Sequence, residues 1–172
     1  MIKVNAASGT DLRPPPWVNL DLCKRWPSNP RDCDIVWDAR SDKLPFPDAT
    51  ADEFVGGYLL LHVALPHHEP LIREAFRVLA PGGRIELGEV DMDVAMRRWL
   101  ANPQEESAHQ MIWGEHGSIH GPEFEEFDRH VSGHTEGTLR ALLAKCGFVQ
   151  IERFKQHAES VWYELSMQAR KP

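Results

Sequence analysis

Apolar and polar positions along the chain change period several times, and those changes outline the elements. Ile2-Lys3-Val4 is a short apolar stretch that ends in a run of small residues, Asn5-Ala6-Ala7-Ser8-Gly9-Thr10. Trp17-Val18-Asn19-Leu20-Asp21 alternates, as a half-buried strand does. Pro14-Pro15-Pro16 between the two leaves no room for a helix of normal length. A third strand is expected at Asp34-Ile35-Val36-Trp37, ending in Asp38, and a fourth over Glu53 to Leu60, after a turn-rich stretch from Lys43 to Asp52. Beyond His62 the period lengthens. Pro70 can open a helix whose Leu71, Ile72, Ala75, Phe76 and Leu79 share one face, and Pro81-Gly82-Gly83 stops it. Arg84 to Gly88 alternates as a fifth strand, and Met92 to Leu100 is helical by period up to Asn102-Pro103. Residues 104 to 134 are polar, rich in His and Gly, and predict no clear element. Thr135 can cap a helix carrying Leu139, Leu142 and Leu143, with Gly147 as its terminator. Phe148 to Phe154 and Val161 to Met167 close the chain as two strands. Strands alternating with helices predict an α/β fold with a mostly parallel sheet.

Composition narrows the function classes. A chain of 172 residues suits one domain, residues 1–172, with a real core. Nineteen Lys and Arg against 26 Asp and Glu give a net charge of −7, which argues against non-specific binding to nucleic acid or an anionic membrane. No apolar run approaches a membrane span, and the first residues do not resemble a signal peptide. Cys23, Cys33 and Cys146 form no CxxC, so free thiols in the cytoplasm are the expectation. The sequence leaves the oligomeric state open, a homodimer included.

A strand ending in a turn of small residues, followed by a strand ending in an acid, is the nucleotide-binding half of a doubly wound sheet. Here the turn is Asn5 to Gly9 and the acid Asp21. One glycine is not GxGxxG, so on its own the motif fits an ordinary turn as well. A pyrophosphate needs the N-terminus of a following helix, which the triple proline denies. A nucleoside without phosphates remains.

These residues, with Asp34-Ile35-Val36-Trp37-Asp38 and Leu44-Pro45-Phe46-Pro47-Asp48, resemble the class I S-adenosylmethionine-dependent methyltransferases, specifically their small type-11 branch. Arg77-Val78-Leu79-Ala80-Pro81-Gly82-Gly83-Arg84 is the most specific shared motif; His130-Val131-Ser132-Gly133-His134-Thr135 and Cys146-Gly147-Phe148 resemble the branch's C-terminal pattern. The resemblance implies a Rossmann-like seven-stranded sheet, with reduced helices in the first half, that binds S-adenosylmethionine over the carboxyl ends of strands 1, 2 and 4 and releases S-adenosylhomocysteine. It further implies that Asn5, Ala7 and Gly9 line the methionine and ribose, and that Asp21 holds the ribose hydroxyls. Asp38 and Ala39 would flank the adenine, and Gly57 and Tyr58 the methionine portion. Ala7 stands where the family has glycine, Tyr58 where the branch usually has His, and Leu61 where it often has Glu. Tyr58 could face the sulfonium, which an aromatic ring attracts by ~0.5–2 kcal/mol.

Methyl transfer needs a base only when the acceptor arrives protonated. His62, Glu89, Asp91 and His130 are the candidates expected near the carboxyl edge of the sheet, although for each one alone a structural role is the commoner outcome. The pairs His116/His120 and His130/His134 have metal-ligand spacing for a helix, but Gly114, Gly117, Gly121 and Gly133 oppose stable helices there, so no metal is expected. The reading is methyl transfer to a small molecule or glycan precursor, with residues 92–134 as a lid whose 104–134 stretch offers few apolar anchors. Its alternatives are a non-catalytic relative that binds the S-adenosyl ligand, and a metal-dependent hydrolase built on the His-rich segment.

Overall fold

The computed structural model describes residues 1–27, 29–40, 43–114, 129–154 and 164–172. Strands β1 (Ile2–Ala6), β2 (Trp17–Asp21), β3 (Ile35–Val36), β4 (Ala51–Gly57), β5 (Leu79–Val90), β6 (Val149–Arg153) and β7 (Glu164–Arg170) form one sheet in the order β3-β2-β1-β4-β5-β7-β6. The first five pair in parallel, while β7 runs antiparallel to β5 and β6. Helices are few. Among the described residues none precedes the 3-10 turn Leu60–His62; α1 (His68–Val78), α2 (Met92–Ala101), α3 (Glu106–Trp113) and α4 (Glu136–Lys145) follow. The chain runs outward from β1 to β3, then returns to β4, so the order reverses between β1 and β4. In such sheets the crevice beyond the carboxyl ends at that reversal is where ligands bind.

Local chemistry accounts for the elements and for where they depart from the sequence pattern. Strand β4 stops at Gly57, short of the expected Leu60, because Tyr58 takes a left-handed φ of +54° and its N–H reaches the Gly88 carbonyl. Helix α1 begins two residues before Pro70, which is tolerated in a first turn whose N–H groups lack partners in any case. It ends at Val78, before the Pro-Gly-Gly. That triplet instead forms a bulge inside one long β5: the pairing with β4 shifts from Ala51–Leu79 to Glu53–Arg84. Gly82 has φ +78°, and a Cβ on Gly83 would stand 2.8 Å from the Ala80 carbonyl oxygen, so neither position favours a side chain. Arg77 ties α1 to the preceding loop through Glu74, Asp48 and the carbonyls of Leu44 and Phe46. The most specific shared motif is therefore structural, at the amino-terminal end of β5. Thr135 caps α4 in a capping box with Thr138, and Gly147 ends it at φ +97°, as the sequence predicts.

The main core packs Leu71, Ile72 and Ala75 of α1 and Leu139 and Leu143 of α4 against Val4, Leu20, Phe54 and Ile85 of the sheet. A second apolar cluster joins Leu61 and Val90 to Ala95 of α2 and Met111 and Ile112 of α3. Met111 and Ile112 thus anchor the start of the 104–134 stretch, contrary to the few apolar anchors expected there. Residues 115–128, including His116 and His120, and 155–163 lie outside the described residues.

Candidate active site

A pocket of about 600 Å³ opens at the carboxyl ends of β1, β2, β4 and β5. Asn5, Ala7, Gly9, Asp21, Asp38, Ala39, Gly57 and Tyr58 all line it, so the eight positions proposed for the nucleoside come together in one place. On the β1–β3 side a buried amide network shapes the floor. Asn5 donates through Nδ2 to the Asp11 carbonyl at 2.6 Å and to Asn19 Oδ1 at 3.0 Å, while Asn19 Nδ2 donates to the Arg13 carbonyl. These bonds hold the 8–13 loop over the end of β1, where the prolines forbid a helix. Asp21 Oδ2 accepts from Gly9 N–H at 2.6 Å and from the Ser8 hydroxyl at 3.3 Å, and Oδ1 accepts from Leu22 N–H. Asp38 is clasped by the Arg40 guanidinium, whose hydrogen bonds hold its carboxyl below the usual range.

Ala7 has φ +52° and Tyr58 φ +54°, left-handed conformations that non-glycine residues adopt at a cost. They stand just past β1 and β4, the two strands flanking the reversal, where backbone strain commonly accompanies ligand sites. A Cβ built on Gly57 meets nothing within 4 Å, so the space it would enter belongs to the pocket. That open cradle, with carboxylates at the ends of β2 and β3, fits a nucleoside carrying an amino-acid arm.

His62 and His130 line the opposite half, with Met111 and Val90. Their rings meet edge to face with centroids 5.1 Å apart. His62 Nδ1 lies 3.1 Å from the Arg129 carbonyl and His130 Nδ1 lies 2.8 Å from the Met111 carbonyl. A carbonyl only accepts, so each Nδ1 carries a hydrogen, and proton exchange with a substrate falls to Nε2.

Glu89 and Asp91 do not line the pocket. Side chains alternate along β5, so when Gly88 and Val90 face the pocket Glu89 faces away. Glu89 is fully buried: Oε1 accepts from Leu60 N–H at 3.0 Å, and Oε2 has no partner. Burial pushes its carboxyl up to about 8, against the lowering effect of the Leu60 and Leu61 N–H groups. Asp91 caps α2 at Val94 N–H and pairs with Arg153 at 3.0 Å. Both acids are fastenings.

His134 likewise faces away from His130. Its Nε2 meets His68 Nδ1 at 2.9 Å, His68 Nε2 meets the Val63 carbonyl at 2.7 Å, and His134 Nδ1 meets the Thr138 hydroxyl at 3.1 Å. Burial lowers both imidazoles, His134 to about 4. This buried neutral pair joins the 129–134 segment to α1 and α4. No group of three His, Cys, Asp or Glu among the described residues could hold a metal ion.

Sequence reasoning missed Met111 and Glu164 as lining residues. Met111 lay in an unassigned segment, and Glu164 inside an expected strand with nothing to give its register.

Comparison with known proteins accords with this geometry. Residues 17–87 match the family model described as a methyltransferase domain. Over that stretch the chain is similar to the methyltransferase domain family. A stretch of 60 residues is 38% identical to the ubiquinone/menaquinone biosynthesis C-methyltransferase UbiE of Brucella anthropi, covering 33% of this chain and 22% of that protein. The match thus spans well under two thirds of that relative. Its fold is similar to an S-adenosylmethionine-dependent methyltransferase from Methanosarcina mazei (TM-score 0.59, 20% identity, 98% of this chain and 91% of that one). It is also similar to human N-acetylserotonin methyltransferase, solved in complex with S-adenosylmethionine (TM-score 0.59, 17% identity, 99% of this chain and 47% of that one). Both of these structures are named for S-adenosylmethionine. No helix among the described residues is long and apolar enough to cross a membrane.

Proposed function

We propose that this methyltransferase binds S-adenosylmethionine with the β1–β3 half of the pocket and transfers its methyl group to a small-molecule or glycan-precursor acceptor held in the half bounded by His62 and His130. The observation that carries this reading is the convergence of both residue sets on one pocket at the sheet's reversal point. When bound, the cofactor supplies a methyl group on a sulfonium, already activated for in-line displacement.

Asp21 and the 8–13 loop hold the ribose, Asp38 and Ala39 border the adenine, and the Gly57 cradle receives the amino-acid arm. Holding two reactants in line can contribute ~7–11 kcal/mol, so positioning dominates. His130 or His62 takes a proton through Nε2 when the acceptor arrives protonated. Residues 92–114 and 129–134, whose Met111 and His130 reach the pocket, roof it within a single domain and exclude water. The three free cysteines accord with a reducing cytoplasm.

Titration calorimetry with S-adenosylhomocysteine, followed by transfer of a labelled methyl group to an acceptor panel, tests the reading. Binding together with transfer supports it. Binding without transfer to any acceptor favours a non-catalytic relative, and absence of binding overturns it.

A further inference from the structure

The pocket is lined by one acidic side chain, Glu164, that the proposed chemistry leaves unused. Glu164 opens β7, and because β7 runs antiparallel to β5, its first residue pairs with Val90 at the carboxyl edge of the sheet. Its side chain lies over bare backbone: Oε1 is 3.5 Å from the point where a Cβ on Gly88 would stand, beside Gly57. The Ser166 hydroxyl donates to the same oxygen at 2.6 Å. Among the described residues no cation pairs with this carboxylate. The nearby Arg153 donates to the Glu164 carbonyl and spends its charge on Asp91 and Glu136. Burial and the Glu164 and Glu89 carboxyls push the Tyr58 phenol up to about 12, so Tyr58 remains a neutral ring at physiological pH.

A partly buried carboxylate with no cation partner among the described residues, sharing its pocket with a neutral aromatic ring and two imidazoles, favours a cationic guest. We propose that Glu164 is the specificity-determining residue for the acceptor, and that the acceptor is an amine which enters as its ammonium ion. The inference rests on the methyl-transfer reading above.

Glu164 attracts the ammonium through charge and hydrogen bonding, while Val90 and Met111 supply apolar surface for its body. An ammonium has no lone pair, so its proton must first pass to the Nε2 of an imidazole, His62 or His130. The freed nitrogen pair then forms the N–C bond as the C–S bond breaks, with that bond's electrons remaining on sulfur as a neutral thioether. The product amine carries the positive charge that the sulfonium loses, and Glu164 faces a cation at the start and at the end.

The same carboxylate could instead serve the cofactor's sulfonium, and one experiment separates the two. Phenethylamine and its neutral counterpart phenethyl alcohol are titrated into the protein saturated with S-adenosylhomocysteine. Glu164→Gln preserves an oxygen to accept from Ser166, so the fold has no reason to change. Wild type is expected to prefer the amine by about tenfold or more, the scale of a hydrogen bond to a charged group, and Glu164→Gln to abolish that preference. Affinities for S-adenosylmethionine and S-adenosylhomocysteine are measured on the same variant, and their ratio should stay unchanged. Equal binding of amine and alcohol by wild type, or a preference that survives in Glu164→Gln, overturns the inference. So does a variant that loses affinity for S-adenosylmethionine alone, which would assign Glu164 to the sulfonium. Failure of S-adenosylhomocysteine to bind wild type would overturn the underlying reading instead.

Discussion

Glu89 offers a sharp test of how the acceptor side of the pocket is built. Its Oε1 accepts from Leu60 N–H, and Oε2 is buried without a partner. From the turn it secures, the Leu60 carbonyl accepts from the Ser132 hydroxyl and the Leu61 carbonyl from Val131 N–H. The acid thus braces both His62 and the segment that carries His130. Burial raises the carboxyl from 4.5 to about 8, so the folded protein keeps it neutral where the unfolded chain has already released the proton. The unfolded state therefore binds fewer protons between these values, and stability from this group, full below pH 4.5, is lost as pH rises through 8. The slope is about 1.4 kcal/mol per pH unit and the whole loss on the order of 5 kcal/mol, a large share of a typical domain's ~5–15 kcal/mol. Glu89→Gln keeps the Oε1 acceptor and cannot ionise, so its stability should not carry this slope. Urea unfolding of both proteins at intervals from pH 4.5 to 8.5 yields the difference between them, from which all other titrations cancel. The variant should gain on wild type steadily as pH rises. Parallel curves would mean that Glu89 is ionised in the fold, and the account of its burial would fail.

Asp21→Ala should weaken S-adenosylhomocysteine binding by about 1.5–3 kcal/mol for each ribose hydrogen bond lost, read by calorimetry. Unchanged affinity in a folded variant would remove Asp21 from the site. Ala7→Gly relieves a left-handed alanine worth roughly 1–2 kcal/mol, partly offset by the greater freedom of glycine when unfolded, so it should preserve or improve both melting temperature and cofactor affinity. A fall in affinity beyond about tenfold would show that the alanine methyl is used. His130→Asn should lower turnover on the order of 10²-fold while leaving S-adenosylhomocysteine affinity nearly intact, since the base is lost and the nucleoside half untouched. Undiminished turnover across amine and hydroxyl acceptors would exclude His130 as the base.

What the sequence determined by itself was mostly local. Alternation over Trp17–Asp21, the Thr135 cap and the Gly147 stop are readable because each depends on a few neighbouring residues and on backbone geometry they alone dictate. That Asn5, Ala7, Gly9 and Asp21 would come together at the carboxyl edge of the sheet was legible for the same reason. Asn5 to Gly9 and Asp21 sit at the ends of consecutive short strands, so locating the strands locates the residues. The acceptor half had no such signal. Whether Glu89 or its neighbours Gly88 and Val90 face the pocket depends on the phase of β5, which a bulge at Pro81-Gly82-Gly83 resets upstream. His130 and His134, four residues apart, part company because one meets Met111 on α3 and the other His68 on α1, contacts between segments distant in sequence. Glu164 reaches the pocket only because β7 returns antiparallel beside β5. Residue type and spacing decide what a short segment becomes; which side chains converge on a reaction depends on strand register and long-range packing, and only the folded chain settles those.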